Sequence, residues 1–78
     1  MNKKVNGRIK AEQVKVIMDD FVDLGVMSLT EAMALARSRG EDLVEVQPDL
    51  APPVCEVIDY GKYRFRLQKA RKAKKREE

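Results

Sequence analysis

Residues 28–40, SLTEAMALARSRG, decide how the rest of this chain is read. Ser28-Leu29-Thr30-Glu31 has the S-x-x-E form of a capping box. The serine oxygen accepts the amide hydrogen of Glu31 while the glutamate reaches back to the amide of the cap. Leu29, Ala32, Met33 and Ala36 then follow at i, i+3, i+4 and i+7, which is one apolar face of a helix. Arg37 and Arg39 suit the negative end of the helix dipole, and Gly40 suits a left-handed terminating residue. The pattern predicts a helix over 29–39 with one buried face, and that face requires a sheet or second helix to cover it.

The flanking segments supply a sheet. Upstream, Val14, Val16 and Met18 alternate with Lys15, Ile17 and Asp19, and their β-branched content predicts a strand over 13–19. Asp19-Asp20 opens a turn, and a second short strand runs through 24–27. Phe21 and Val22 stand where polar turn residues are expected. Downstream, 42–47 reads as a strand stopped by Pro48, Pro52-Pro53 stiffens the connection, and 54–58 is a fourth strand. Residues 1–12 read as a polar lead-in with a turn at Asn6-Gly7. From Asp59 to the end the pattern is helical, and 18 residues of helix would extend about 27 Å. Its distal half has too little apolar surface to pack and is expected to stand in solvent or fray. The expected fold class is α+β: a four-stranded mixed sheet with one packed helix, in a ββαββ order that resembles the β-grasp arrangement, followed by a long basic C-terminal helix. Residues 1–60 form the compact domain in this reading and 61–78 a basic linker helix.

Composition narrows the chemistry. A chain of 78 residues has room for one domain, and a chain this small buries only about 60% of its unfolded surface. There is no histidine and there is one cysteine, Cys55. A nucleophilic cysteine generally needs a base, zinc needs several Cys or His ligands, and a disulfide framework needs pairs. Cys55 lies in an apolar strand and reads as a small buried side chain. No phosphate-binding glycine loop occurs. The acid pairs Asp19/Asp20 and Glu41/Asp42 flank turns, where they cap and solvate. The expectation is therefore a binding protein, with no enzymatic turnover, no cofactor and no metal. The polar amino terminus does not read as a secretory signal, and no stretch approaches the roughly 18 apolar residues of a membrane span. A cytoplasmic location follows as the default.

The net charge of +3 conceals a division. Residues 1–60 carry seven basic and eleven acidic side chains, whereas 61–78 carry nine basic ones against Glu77 and Glu78. An acidic body with a strongly basic tail suits a polyanionic partner. In the tail, Tyr60, Tyr63, Leu67 and Ala70 fall on one helical stripe that can pack the first turns onto the sheet. The remaining circumference is basic, with no acid before Glu77. A helix held by i,i+4 ion pairs would mix signs; a face of one sign repels itself unless a polyanion neutralises it. Lys and Arg contacts to phosphate give affinity without sequence choice. Phe65, off the stripe and beside Arg64 and Arg66, can stack on an unpaired base. Arg8 and Lys10 add charge near the amino terminus.

VNGRIKA, LGVMSLTEAMALA, DLVEV, PPVC and IDYGKYRF occur in the order and approximate spacing of bacterial translation initiation factor 3. Over nearly the whole chain the sequence resembles the N-terminal domain of that family and the start of its linker. The resemblance implies binding to the platform side of the small ribosomal subunit, near the initiator tRNA. It also implies help in rejecting wrong tRNAs and in delaying the large subunit, shared with a C-terminal domain that is expected to be missing from this chain. It adds Tyr60, Gly61 and Lys62 of the DYGK motif to the RNA-binding candidates, which are then Arg8, Lys10, Tyr60, Gly61, Lys62, Tyr63, Arg64, Phe65, Arg66, Lys69, Arg71 and Lys72. The implied partners are the small subunit with its ribosomal RNA and the initiator tRNA, with the domain itself a monomer. The chain departs from the family pattern at Glu56, where Lys or Arg is preferred, and at Arg66, where a small, polar or acidic residue is preferred. DDFVD lacks the usual turn glycine, and Asp49-Leu50 replaces the usual Asn-Ala. Two rival readings are a protein-interaction adaptor that presents a sheet edge and a short initiation-factor-like protein with a changed regulatory role. Membrane-surface attachment by the basic helix is disfavoured by its short apolar stripe.

Overall fold

In the computed structural model, which describes residues 4–19 and 21–76 and side chains as far as Lys69, the capping box at Ser28 forms as its spacing requires. Ser28 Oγ accepts from the Glu31 amide at 3.1 Å, and Glu31 Oε1 accepts from the Ser28 amide at 3.1 Å. Helix α1, Leu29–Ser38, buries Ala32 and Ala36. Gly40 sits at φ 67° and closes the helix: its amide donates to the Arg37 carbonyl and the Glu41 amide to the Ala36 carbonyl, both at 2.9 Å. These two bonds satisfy carbonyls that the last turn leaves open, and a residue with a Cβ would be strained at that φ.

Around α1 lie four strands: β1 (Gln13–Met18), β2 (Val22–Ser28), β3 (Asp42–Gln47) and β4 (Val54–Ile58). They form one sheet in the order β2-β1-β4-β3. The central pair β1/β4 is parallel and both outer pairs are antiparallel. The fold class is thus α+β with a mixed four-stranded sheet, as the sequence predicts. Strand alternation explains the core. Val14 and Val16 from β1, Leu43 from β3, and Cys55 and Val57 from β4 gather with Ala32 and Ala36 of α1. Burying each Val or Leu contributes about 1.5–3 kcal/mol. By the same alternation Val44 and Glu56, paired across β3/β4, point to the other face, and both are buried. Helix α2, Tyr60–Arg76, begins on that second face.

Three expectations are corrected. The lead-in is part of the domain: Ile9 is in the core, Val5 bridges to Val44, and the Glu45 amide donates to the Lys4 carbonyl. A single apolar residue among polar neighbours gave no periodicity from which to infer this. Strand β2 starts at Val22, two residues earlier than expected. The turn is completed by Asp19 and Phe21 at φ 47° and 71°, and the apolar Phe21 belongs to it because its ring packs outside the core. On α2, Tyr63 is buried but Leu67 is 39% exposed, so the expected packing stripe ends early. Ala70, and the expected continuation of the helix to residue 78, lie outside the described side chains and residues.

Candidate nucleic-acid interface

The start of α2 is fixed by two carboxylates. Asp59 Oδ2 accepts the Lys62 amide at 3.1 Å, and Asp42 Oδ2, reaching from β3, accepts the Tyr60 amide at 3.0 Å. Both satisfy amides that have no partner inside the helix, and both place negative charge at its positive end. A Cβ at Gly61 would stand 3.0 Å from Asp59 Oδ2, so a larger residue there crowds the cap. The DYGK motif is therefore in part a helix start: Asp59 caps, Gly61 leaves it room, and the Lys62 side chain is left exposed.

Asp42 also joins the two basic segments. Its Oδ1 accepts from Asn6 Nδ2 at 3.1 Å, and Asn6 Oδ1 in turn accepts the Leu43 amide at 2.9 Å. Asn6 lies in a short 3-10 turn, Asn6–Arg8, just ahead of buried Ile9. With Ile9 inward, Arg8 and Lys10 on either side are exposed. The amino-terminal cations and the basic helix are thus anchored on one carboxylate.

Helix α2 has two faces. Toward the sheet, Tyr63 is 6% exposed and its phenol is pushed up from its ordinary pKa by burial. Tyr60 stacks on it with ring centroids 6.3 Å apart, and the Arg64 guanidinium lies 6.0 Å from the Tyr60 ring. Arg66 donates from Nη2 to Glu56 Oε1 at 2.8 Å and from Nη1 to Oε2 at 3.2 Å. Its guanidinium also lies 5.4 Å from the ring centroids of both Phe21 and Tyr63. Glu56 and Arg66 therefore face each other as a bidentate ion pair.

Toward solvent, Gly61, Lys62, Arg64, Phe65, Gln68 and Lys69 are exposed. Lys62 and Lys69 stand at i−3 and i+4 from Phe65, so an aromatic residue that is 63% exposed has a lysine about one turn away on either side along the helix. Of the candidates, the structure brings together Tyr60, Gly61, Lys62, Tyr63, Arg64, Phe65, Arg66 and Lys69 on α2. Arg8 and Lys10 are on a separate segment, and the side chains of Arg71 and Lys72 are outside those described. Sequence reasoning missed Asp42 and Asn6, because each reads locally as an ordinary turn residue and their meeting depends on the tertiary fold.

The remaining chemistry is quiet. Burial and the charge of Glu45 push the Cys55 thiol up to about 12, so it is protonated at neutral pH. Among the described residues no His/Cys/Asp/Glu group could hold a metal ion, and no helix is long and apolar enough to cross a membrane. On the sheet, a shallow groove of about 670 Å³ is lined by Ile17, Phe21, Val26, Leu50, Ala51, Pro52 and Val54 together with the polar Lys15, Asp23 and Gln47.

The sequence profile of translation initiation factor IF-3, N-terminal domain, matches residues 5–74. Proteins named translation initiation factor IF-3 are similar to the chain. That of Geobacter sulfurreducens is 50% identical over 72 residues, covering 87% of this chain and 42% of the relative. That of Borrelia garinii subsp. bavariensis is 47% identical over 73 residues, covering 94% and 39%. That of Neisseria meningitidis serogroup C is 44% identical over 68 residues, covering 87% and 39%. The chain spans about two fifths of the length of these curated relatives. With a match running almost end to end, the chain belongs to the translation initiation factor IF-3 N-terminal domain family.

Proposed function

We propose that this domain acts in the initiation of protein synthesis by binding the RNA of the small ribosomal subunit through the solvent face of α2, close to the initiator tRNA. The observation that carries this reading is Phe65, exposed between Lys62 and Lys69 on a face with no described acid. Lysines one turn to either side of an exposed aromatic residue suit a polynucleotide: the cations take phosphates and the ring takes an unpaired base. Arg64 extends the basic surface, Arg71 and Lys72 follow it in the sequence, and Arg8 and Lys10 add charge from the segment that shares Asp42 with the helix. Family membership supports the ribosomal setting. In this reading residues 1–60 are the body and 61–78 the basic extension. The domain works by occupancy and positioning, without turnover, in the cytoplasm. Support of tRNA selection and delay of subunit joining would be shared with further parts of a longer factor.

The test is binding to purified bacterial small subunits across a salt series. Four to six phosphate contacts predict a log–log slope of about −3 to −5, given some 0.7–0.9 per contact. Lys62→Ala and Lys69→Ala should each make the slope shallower by about one contact, and Phe65→Ala should weaken binding with the slope unchanged. Salt-independent binding, or none by the folded domain at low salt, refutes the reading. A second reading, a surface for a protein partner, is favoured by β2: it is an edge strand with Val22 and Val26 more than half exposed. Such contacts would show weak salt dependence and sensitivity to substitutions in β2 rather than α2.

A further inference from the structure

A helix attached at one end pivots; a second attachment further along gives it a direction. The first attachment of α2 is the pair of carboxylates at Tyr60 and Lys62, with Tyr63 packed beside them. Beyond Tyr63 the apolar stripe gives little, since Leu67 is 39% exposed. The next described attachment is Arg66, six residues on from Tyr60 and about 9 Å along the helix axis at 1.5 Å per residue. We infer that Arg66 is a positioning residue, not an RNA contact: it fixes the direction in which α2 leaves the sheet, and so where the basic face is presented.

The geometry suits that role in three ways. The fork–fork pair to Glu56, at 2.8 and 3.2 Å, constrains orientation as well as distance, which a single-point ammonium contact would not. Glu56 is itself 2% exposed on a central part of the sheet, so the far end of the pair is held firmly. Both aromatic contacts to the guanidinium, at 5.4 Å, come from different elements: Tyr63 from the helix and Phe21 from the β1–β2 turn. Phe21 adopts φ 71°, a conformation unfavourable for an aromatic residue, and places its ring there while 62% exposed. Arg66 thereby joins three elements, α2, β4 and the β1–β2 turn, at one point.

The role of the helix in binding rests on the proposed ribosomal function; its direction does not, and the two can be tested apart. Residual dipolar couplings of backbone amides report whether residues 64–69 share one alignment tensor with the sheet. In the wild type they should share it. In Arg66→Gln the helix amides should lose the common tensor while the sheet amides keep theirs. Glu56→Gln/Arg66→Gln, which leaves no orphan buried carboxylate, should do the same in a domain that stays folded. A common tensor retained in the double variant overturns the inference. In small-subunit binding, Arg66→Gln should lower affinity with the salt slope unchanged; a slope shallower by about 0.7–0.9 would make Arg66 a phosphate contact and overturn it too. Failure of the wild type to bind subunits would count against the ribosomal reading alone, because the couplings are measured without RNA.

Discussion

Asp42→Ala should loosen both basic segments at once. The carboxylate holds the Tyr60 amide at 3.0 Å and Asn6 Nδ2 at 3.1 Å. Removing a helix cap costs about 1 kcal/mol, and a hydrogen bond to a charged group is worth about 1.5–3 kcal/mol. Both bonds are only part-buried, so water replaces some of what is lost, and the sum should be about 2–3 kcal/mol. At about 4–8 °C per kcal/mol for a domain of this size, Tm should fall by roughly 8–24 °C. That is a large share of the ~4–12 kcal/mol expected at 0.05–0.15 kcal/mol per residue. Urea unfolding gives the total, and amide exchange gives the location. Protection should drop at Tyr60, which loses its acceptor, and at Leu43, whose acceptor Asn6 loses its own anchor. Asp42→Asn, which keeps an acceptor oxygen but not the charge, should fall between alanine and wild type. A loss below about 0.5 kcal/mol with unchanged exchange at both amides would refute the account of Asp42 as a shared anchor.

Other outcomes follow from single features. Ser28→Ala removes the capping box and should cost about 1 kcal/mol, read as a lower urea midpoint with unchanged slope. Gly40→Ala forces a Cβ into φ 67° and should destabilise by about 1–2 kcal/mol in the same assay. Cys55 should resist thiol reagents until the domain unfolds. Its folded pKa is raised from 9.0 to about 12, so between those values the unfolded chain has lost a proton that the native one keeps. Its contribution is full below pH 9 and declines as pH rises, by at most about 1.4 kcal/mol per pH unit. Cys55→Ala should flatten that part of the stability–pH curve. Phe65→Ala should leave stability within about 0.5 kcal/mol while weakening RNA binding by about 1–3 kcal/mol per stacked base.

How much of this was legible in the sequence depended on the range of the interactions. The α1 boundaries were readable because the capping box and Gly40 act within a few residues of themselves. So were β3 and β4, bounded by Gly40, Pro48 and the Pro52-Pro53 pair. The fate of Phe21 was not, because its ring is held by Arg66, 45 positions away in the chain. Ile9 was not, because its partners come from both the sheet and α1. On α2 the basic face was plain from composition, yet composition could not separate Arg66 from Lys62 or Lys69. All three are cations on the same helix, and the tertiary fold distinguishes them by setting Glu56, Phe21 and Tyr63 around Arg66.

The Glu56–Arg66 pair also shows why two charges that lie on different elements are best read together. Taken singly, a glutamate in a buried strand position and an arginine on an already basic helix each look like a loss. Glu56 alone would be a buried carboxylate without a partner, a condition that costs several kcal/mol. Arg66 alone would be one more cation on a self-repelling helix. Facing each other at 2.8 Å, they neutralise that buried charge and use one cation of the helix inside the domain. The pair's net effect on stability is small compared with the cost of breaking it, because desolvation offsets much of the attraction. What it supplies is direction: two parallel hydrogen bonds define an angle between helix and sheet that apolar contacts at Tyr63 alone would leave loose.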